Sequence, residues 1–332
     1  MAAALVTARL VLVLGLAAPL TARAQQAGEL AGWLSPEMGR QAARASYRLE
    51  TSPSQDVSGQ SGGLGYVANG FSFLTPLAQD AGQELALGAR VEHLALDTSV
   101  VLPDTRRALP GQLWDPRLSG FYRRKLDNGW IAGLTAEGGS PSDKPFHSEN
   151  ELSINATAFL RLPRGERDAW VLLLNYDHNR DFLYRLPIPG AAYWYHPSPG
   201  FQALLGAPFV SLRWLPARDL EMAATYLAPY RVRAKASYRL AAPLKAYLGF
   251  DWGSQRWFLA DRPHQENRLF FWQKKASLGA VCQLGRGLDL DLAVGYAFDR
   301  VIFEGENYGD RDHDRLDLDD GAFFTAQIGF RF

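Results

Sequence analysis

A shortage of cysteine and a balance of charge already exclude several classes of protein. Cys282 is the one cysteine, so the chain can form no internal disulfide and no cysteine metal cluster. The 35 basic residues are matched by 35 acidic residues, and the chain therefore lacks the basic excess that attracts nucleic acid. The catalytic pattern H-E-x-x-H and the phosphate-binding loop are also missing. We expect no nucleic-acid partner, no cofactor and no enzyme activity.

Long apolar runs are absent beyond Leu20. Because a membrane-spanning helix needs about 20 consecutive apolar residues, this absence excludes a helical membrane protein. Nearer the start, Arg9 precedes the apolar residues 10–20, and Ala22-Arg23-Ala24 has the small-x-small pattern of a secretory cleavage site. The apolar stretch is too short to anchor the chain across a hydrocarbon core of about 30 Å. We expect residues 1–24 to be a signal peptide that is cleaved after Ala24.

From about Ala43 to Phe332 the chain alternates apolar and polar residues with a period of two. In a β-strand this period sends successive side chains to opposite faces. Several alternating segments run to ten or more residues, whereas soluble strands average about five or six and a tilted strand needs about nine to eleven to cross a bilayer. Aromatic residues collect near the ends of these segments, as interfacial girdles require. The pattern favours a membrane barrel over a soluble sandwich.

The links between segments support the same interpretation, because a membrane barrel alternates short turns with long external loops. The short links are 76–82, 127–129, 163–167, 216–218, 241–243 and 285–287. The long links are 52–65, 98–112, 138–148, 179–200, 260–267 and 304–320, and the short link 228–230 is the exception. We predict an all-β fold for residues 43–332: a transmembrane antiparallel up-and-down β-barrel of about fourteen strands, or twelve if residues 220–240 are divided differently.

Residues 25–42 do not alternate, and they contain Trp33, Leu34 and Pro36. They could form a short periplasmic helix, a mobile lead, or a plug in the mouth of the barrel. Since most N-terminal leads are mobile, we expect a mobile periplasmic lead.

The C-terminal residues resemble a known group of proteins. Residues 327–332 (QIGFRF) look like the closing strand of Gram-negative outer-membrane barrels, and residues 247–252 (YLGFDW) and 295–300 (GYAFDR) resemble a family of uncharacterised outer-membrane barrels. The resemblance implies a location in the cell outer membrane, with lipid and lipopolysaccharide as surroundings. It also implies that Phe330 and Phe332 form an assembly signal for the barrel-insertion machinery. It supplies no functional residues.

An acidic segment, residues 304–320, precedes the last strand. Asp310, Asp312 and Asp314 have a spacing that lets a turning loop aim oxygens at one hard cation such as Ca²⁺. Arg315 stands where an EF-hand has its turn glycine, so the segment is not an EF-hand. The alternatives are a surface calcium site formed by these three aspartates and a solvated acidic loop.

The polar faces of the predicted strands carry charges that would point into the lumen. The basic set is Arg231, Arg233, Lys235, Arg239 and Lys245, and the acidic set is Asp289, Asp291 and Asp299. Opposed sets would create a transverse field across an open pore, or would pair and seal the barrel. We therefore favour a passive channel or transport barrel for small polar or amphipathic solutes. The alternatives are a structural or surface-interaction barrel without conductance and, less favoured, a barrel hydrolase suggested by the residue types in His147-Ser148-Glu149.

Overall fold

The computed structural model describes residues 33–180, 183 and 185–332. The predicted signal peptide lies outside these residues. Within them, no helix is long and apolar enough to cross a membrane, and the named helices are two single turns, Glu149–Glu151 and Tyr308–Asp310.

Strands form one antiparallel sheet in which each strand pairs with the next along the chain, except that the last strand pairs with the strand two before it. Their bounds are β1 Arg44–Asp56, β2 Gly63–Gln79, β3 Gln83–Thr98, β4 Gln112–Lys125, β5 Ile131–Gly139, β6 Ser153–Arg164, β7 Asp168–Asp177, β8 Ile188–Ser198 and β9 Phe201–Ala207. They continue with β10 Phe209–Ala217, β11 Leu220–Leu227, β12 Arg231–Ala241, β13 Leu244–Trp257, β14 Arg268–Gly285, β15 Leu288–Gly305, β16 Leu316–Leu318 and β17 Gly321–Arg331. Since β1 pairs with β17 from Arg44 opposite Arg331 to Thr51 opposite Phe324, the sheet closes into a barrel.

The wall contains sixteen strands, because the three-residue β16 only adds to β15 beside the outer end of β17. The predictions of fourteen and twelve strands were wrong. The sequence interpretation missed β8, whose Pro189, Gly190 and Pro197 read as a loop, and it joined β9 and β10, which Pro208 alone separates. Both errors concern β8–β10, and correcting them adds two strands. Because two is an even number, the alternation of short and long links is unchanged elsewhere, where it is confirmed.

The two ends of the barrel differ in their links. Links at one end, here called the turn end, are two to five residues long, and both the first and the last strand have their free ends there. The opposite end, the loop end, carries the long links at 57–62, 99–111, 140–152, 178–187, 258–267 and 306–320. It also carries two very short ones, Pro208 and residues 228–230. The wall is therefore tall on one side and low on the side of β9–β12.

At the loop end the tall strands close into a second, narrower barrel, here called the upper barrel. It comprises the outer ends of β1–β4 and β13–β15, the strand β16, and residues 140–142. Bridges from Val57 to Leu318 and from Ser142 to Phe258 join its neighbouring segments. Apolar side chains that are buried together fill it, among them Leu64, Tyr66, Leu94, Leu102, Leu113, Trp257, Phe271, Ile302 and Leu316. Burial of this apolar surface stabilises the upper barrel.

Candidate transport path inside the barrel

The lead enters the turn end of the barrel. Arg123, an inward residue of β4 that is buried, donates from Nη1 to the carbonyl oxygens of Trp33 (2.6 Å) and Ser35 (2.7 Å). Its Nη2 donates to the carbonyl oxygen of Glu37 at 2.7 Å. The carboxylate of Glu84 accepts from Arg123 Nε at 2.7 Å. One buried ion pair therefore fixes the backbone of the lead.

Apolar packing supports this anchor. The indole of Trp33 stacks on Phe121, with ring centroids 3.3 Å apart. Both residues belong to a buried apolar cluster with Leu34, Ile131, Phe159, Val171, Leu173, Trp194, Leu204 and Phe209. Residues 33–42 of the lead lie against the inner wall, as the alternative of a plug in the barrel mouth would place them. The mobility of the lead stays a prediction.

A latch closes the upper barrel along its seam. Arg262, in the link after β13, donates to the carboxylate of Glu151 at 3.1 Å and to the carbonyl oxygen of Asn150 at 2.8 Å. Ser148 donates to Glu151 from its amide and its hydroxyl, at 2.7 Å each. Burial alone would raise the pKa of Glu151, but the hydrogen bonds from Ser148 and the charge of Arg262 outweigh burial and lower that pKa.

The low side of the wall leaves a gap in strand pairing beneath the upper barrel, here called the side opening. β12 last pairs with β13 at Val232 opposite Trp252, whereas β13 continues to Trp257. Within the described residues no strand pairs with that edge of β13 between Trp252 and the bridge at Phe258. The side opening is therefore bounded by Pro208, Pro229, Tyr230, Ser254 and Arg256.

Cavity A lies directly behind the side opening and has a volume of about 290 Å³. One part of its wall is apolar and includes Trp33, Phe121, Leu173, Phe209 and Leu227. Polar uncharged groups, such as Asn155, Thr157 and Asn175, line the part beside β6 and β7. The charged lining residues are Arg117, Glu137, Asp177, Arg180, Arg231 and Arg256. The cavity thus offers an amphipathic interior.

Cavity B, of about 410 Å³, adjoins cavity A through Arg231, Ser254 and Arg256, which line both. Ion pairs dominate its wall. Arg233 donates to Asp251 at 2.6 Å, and Lys235 lies 3.6 Å from Asp291. Four of the residues predicted to face the lumen, Arg231, Arg233, Lys235 and Asp291, line this cavity.

Two further cavities continue to the turn end. Cavity C shares Ser119 and Glu137 with cavity A, and cavity D shares Asp289 and Arg331 with cavity C. Cavity D is also lined by Lys245, as predicted, and by Ala242 and Pro243 of the link between β12 and β13. Cavities A, C and D therefore adjoin one another from the side opening to the turn end.

Two predicted lumenal charges lie elsewhere. Arg239 is near the turn end, 4.0 Å from Asp219, and lines none of these four cavities. The prediction for Asp299 was wrong, because a register shift between β14 and β15 reverses the alternation at this point. Asp299 instead lies 2.6 Å from Lys274, whose ammonium group is over the ring of Trp252.

The structure does not bring the three aspartates of the acidic segment together. Asp314 is buried and accepts from the backbone amides of Asp104 and Thr105, at 2.8 and 2.9 Å. Asp310 accepts from two amides of its own loop, and Asp312 is 3.6 Å from Arg315. Within the described part of the chain, no group of three His, Cys, Asp or Glu residues is arranged to hold a metal ion. Asp310 and Asp314 therefore fix loops through hydrogen bonds to backbone amides.

Several lining residues had no sequence signal that marked them as part of one site. Arg180 and Arg256 belong to segments that read as a loop and as the end of a strand, and only the closure of the barrel places both on cavity A. Lys275 pairs with Glu50 across the lumen, yet the two lie in strands far apart in the chain. The alternation along β1 and β14 could have indicated that Glu50 and Lys275 each point into the lumen. It could not have indicated that these two side chains meet.

The outer surface of the barrel indicates the location of the protein. Large apolar side chains stand exposed on the outward faces of strands around the wall, including Val67, Phe71, Leu87, Leu118, Leu134, Ile154, Leu172, Leu205, Leu248, Leu278, Val294 and Phe324. Because the first and last strands pair, the described sheet has no free edge strand, and a surrounding apolar band suits hydrocarbon rather than water. The protein is an outer-membrane β-barrel.

Comparisons with known proteins find distant similarities among solved structures. No family model matches the chain, and no curated protein matches it. Among solved structures, an outer membrane channel from Pseudomonas putida has 13% identity and a TM-score of 0.40, covering 88% of this chain and 95% of that one. A FadL homologue from Pseudomonas aeruginosa has 12% identity and a TM-score of 0.40, covering 87% and 90%. The toluene transporter TodX from Pseudomonas putida has 7% identity and a TM-score of 0.39, covering 88% and 90%.

Proposed function

We propose that the outer-membrane barrel is a passive transport barrel for small polar or amphipathic solutes. The solutes would enter at the side opening and leave at the turn end. The observation that carries this proposal is the series of adjoining cavities A, C and D. In this proposal the loop end faces the cell exterior and the turn end faces the periplasm, as the lengths of the links favour.

The packed upper barrel supports a side entrance rather than an axial one. Its core contains buried leucine, isoleucine and aromatic side chains. A solute that approached along the barrel axis would have to displace this core, at a cost of several kcal/mol for each large side chain. The low wall at β9–β12 offers an entrance without that cost.

The paired charges inside the lumen favour a second candidate, a structural barrel that conducts nothing. Arg117 is paired with both Asp115 (2.6 Å) and Glu137 (2.9 Å), and Arg90 lies 3.5 Å from Glu137. Such pairing also stabilises a sealed interior. The two candidates differ in whether solutes cross a vesicle membrane that contains the protein.

Liposome swelling with a pentose sugar tests the transport proposal. Thr157 lines cavity A and accepts a hydrogen bond from Asn175 Nδ2 at 2.8 Å, whereas its neighbour Ala158 is exposed on the outer face. We expect the wild-type barrel to admit the sugar, Thr157→Trp to slow swelling severalfold, and Ala158→Trp to leave it unchanged. A correctly folded wild-type protein that admits no sugar would favour the structural barrel.

A further inference from the structure

Cavity B adjoins each of the other three cavities and, at about 410 Å³, is the largest of the four. It shares Ser254 with cavity A, Gln327 with cavity C and Tyr247 with cavity D. Its volume lies within the range of about 300–1,000 Å³ that is typical of small-molecule sites. A solute that moves between the side opening and the turn end therefore passes beside this cavity.

Every carboxylate that lines cavity B belongs to an ion pair. The pairs are Glu50 with Arg48 and Lys275, Glu92 with Arg90, Asp115 with Arg117, Asp251 with Arg233, and Asp291 with Lys235. Arg231 and Arg256, which line the cavity outside these pairs, have partners as well. The wall therefore offers little net charge to offset the hydration that an ion loses on entry.

The paired groups retain capacity for further hydrogen bonds. Arg233 donates from Nε (2.8 Å) and Nη2 (2.6 Å) to one oxygen of Asp251, so Oδ1 of Asp251 and Nη1 of Arg233 take no part in the pair. Lys235 Nζ is 3.6 Å from Asp291 Oδ2, a separation longer than a hydrogen bond. Donors and acceptors therefore lie side by side along this wall.

Uncharged polar side chains line another part of cavity B. Gln273 is 8% exposed, and its Oε1 has no hydrogen-bond partner in the part of the chain that the structure describes. Ser277, Thr325 and Gln327 line the cavity as well. A buried acceptor without a partner destabilises the protein, and a hydroxyl group that donates to this acceptor removes the cost.

We infer that cavity B binds neutral polyhydroxylated solutes, namely small sugars. A hydroxyl group both donates and accepts hydrogen bonds, so it contacts either member of an ion pair without disturbing the balance of charge. A sugar also has no charge that must be stripped of its hydration. This inference rests on the proposed function, since it narrows the transported small polar solutes to one chemical class.

Uptake of isotopically labelled solutes into liposomes that contain the full-length barrel tests the inference. The probes are similar in size and differ in charge: glucose is neutral, gluconate is an anion, and glucosamine is a cation below the pKa of its amine. We expect the wild type to take up glucose severalfold faster than either ion, because the paired wall does not compensate the charge of an ion.

Variants of the pair Arg233–Asp251 separate charge from hydrogen bonding. Asp251→Asn removes the charged partner of Arg233 and should speed gluconate severalfold relative to glucose, whereas Arg233→Gln should speed glucosamine. The double variant Arg233→Gln/Asp251→Asn should restore the wild-type preference. Arg233→Leu/Asp251→Leu is also neutral but lacks the hydrogen-bonding groups, so it should slow glucose severalfold. The matched control is Lys274→Leu/Asp299→Leu, because this ion pair lines none of the four cavities.

Each outcome separates the inference from the proposed function. If the wild type takes up glucose no faster than the two ions, or admits a pentose but none of the three probes, the inference is overturned while transport remains supported. Unchanged preferences in both single variants, or unchanged glucose uptake in the leucine double variant, would overturn the assignment to cavity B. If no solute enters at all, both the inference and the transport proposal fail. Heat-modified mobility on gels verifies that each variant is folded.

Discussion

Arg123 holds the lead through three hydrogen bonds and pairs with Glu84 through a fourth, so its removal would leave the buried carboxylate of Glu84 without its charged partner. We expect Arg123→Ala to lower the free energy of unfolding by about 3–5 kcal/mol, because a buried charge loses its partner. The lead should also leave the wall, and trypsin should then cut more rapidly after Arg40, whose side chain is already exposed in the folded protein. Arg124→Ala is the control, since Arg124 is the exposed neighbour. Equal trypsin resistance in Arg123→Ala and the wild type would mean that the anchor does not hold the lead.

Adjacent residues of β15 test which face meets lipid. Leu292 is exposed on the outer wall, whereas Asp291 lines cavity B and accepts a hydrogen bond from Tyr247 at 2.7 Å. We expect Leu292→Arg to cost about 2–4 kcal/mol if the side chain lies near the bilayer midplane. Asp291→Asn should cost only about 1 kcal/mol, because the amide can still accept the hydrogen bond. Urea unfolding in lipid vesicles measures both. Similar losses for the two variants would contradict the assigned faces.

At the scale of structural elements, the latch of the upper barrel depends on pH. The pKa of Glu151 is lowered in the folded protein, so its ionised form stabilises the fold at pH values above the unfolded pKa of this carboxyl. That contribution is lost as the pH falls through the lowered, folded pKa. When the pH is lowered below the usual range of glutamate titration, we expect the melting temperature of the wild type to decrease by more than that of Glu151→Gln. Identical pH profiles for the two proteins would show that the latch carboxylate contributes nothing.

The last strand has separate roles in closure and assembly. β17 pairs with both β1 and β15, while Phe332 adds one backbone bond to Ala43 at 2.9 Å and is otherwise exposed. Deletion of Phe332 should therefore cost the folded barrel only about 1 kcal/mol. If Phe332 belongs to the assembly signal, the same deletion should strongly reduce barrel yield in cells. Normal yield in cells would contradict the assembly role, and failure to refold in vesicles would contradict the small structural role.

Strand prediction was reliable where alternation was regular, and it failed where proline and glycine interrupted it. β12 and β15 alternate for most of their length, and their inward charges Arg233 and Asp291 lie in the lumen. The prolines of β8 lack a backbone N–H donor, and its small residues form no apolar face. The sequence of this strand therefore resembles that of a loop. The bulge at Asp299 likewise has no signature in the alternation itself.

At the scale of the whole molecule, the closed wall could be predicted but its internal arrangement could not. Period two specifies which side chains point inward, whereas the meeting of Glu50 with Lys275, or of the lead with Arg123, depends on strands distant in the chain. The upper barrel could not be predicted from the sequence either. It closes through a bridge between Ser142, which lies in a loop, and Phe258, the residue after β13.

Orientation in the membrane can be measured on intact cells. The parity of the links assigns the loop end to the cell surface, and Asp312 lies there with a largely exposed side chain. We expect Asp312→Cys, combined with Cys282→Ser, to react with an impermeant maleimide on whole cells. Cys282→Ser alone is the control for background labelling. Reaction only after lysis would place the loop end in the periplasm and reverse the proposed direction of entry.

The central claim is that solutes pass through the side opening and not through the upper barrel. Planar-bilayer conductance before and after attachment of a bulky maleimide tests it most directly, at Tyr230→Cys beside cavity A and at Asp312→Cys in a loop of the upper barrel, both with Cys282→Ser. We predict that modification at position 230 blocks most of the current, whereas modification at position 312 leaves it nearly unchanged. Block at 312 with unaltered current at 230, or no current from a folded and inserted barrel, would contradict a side entrance.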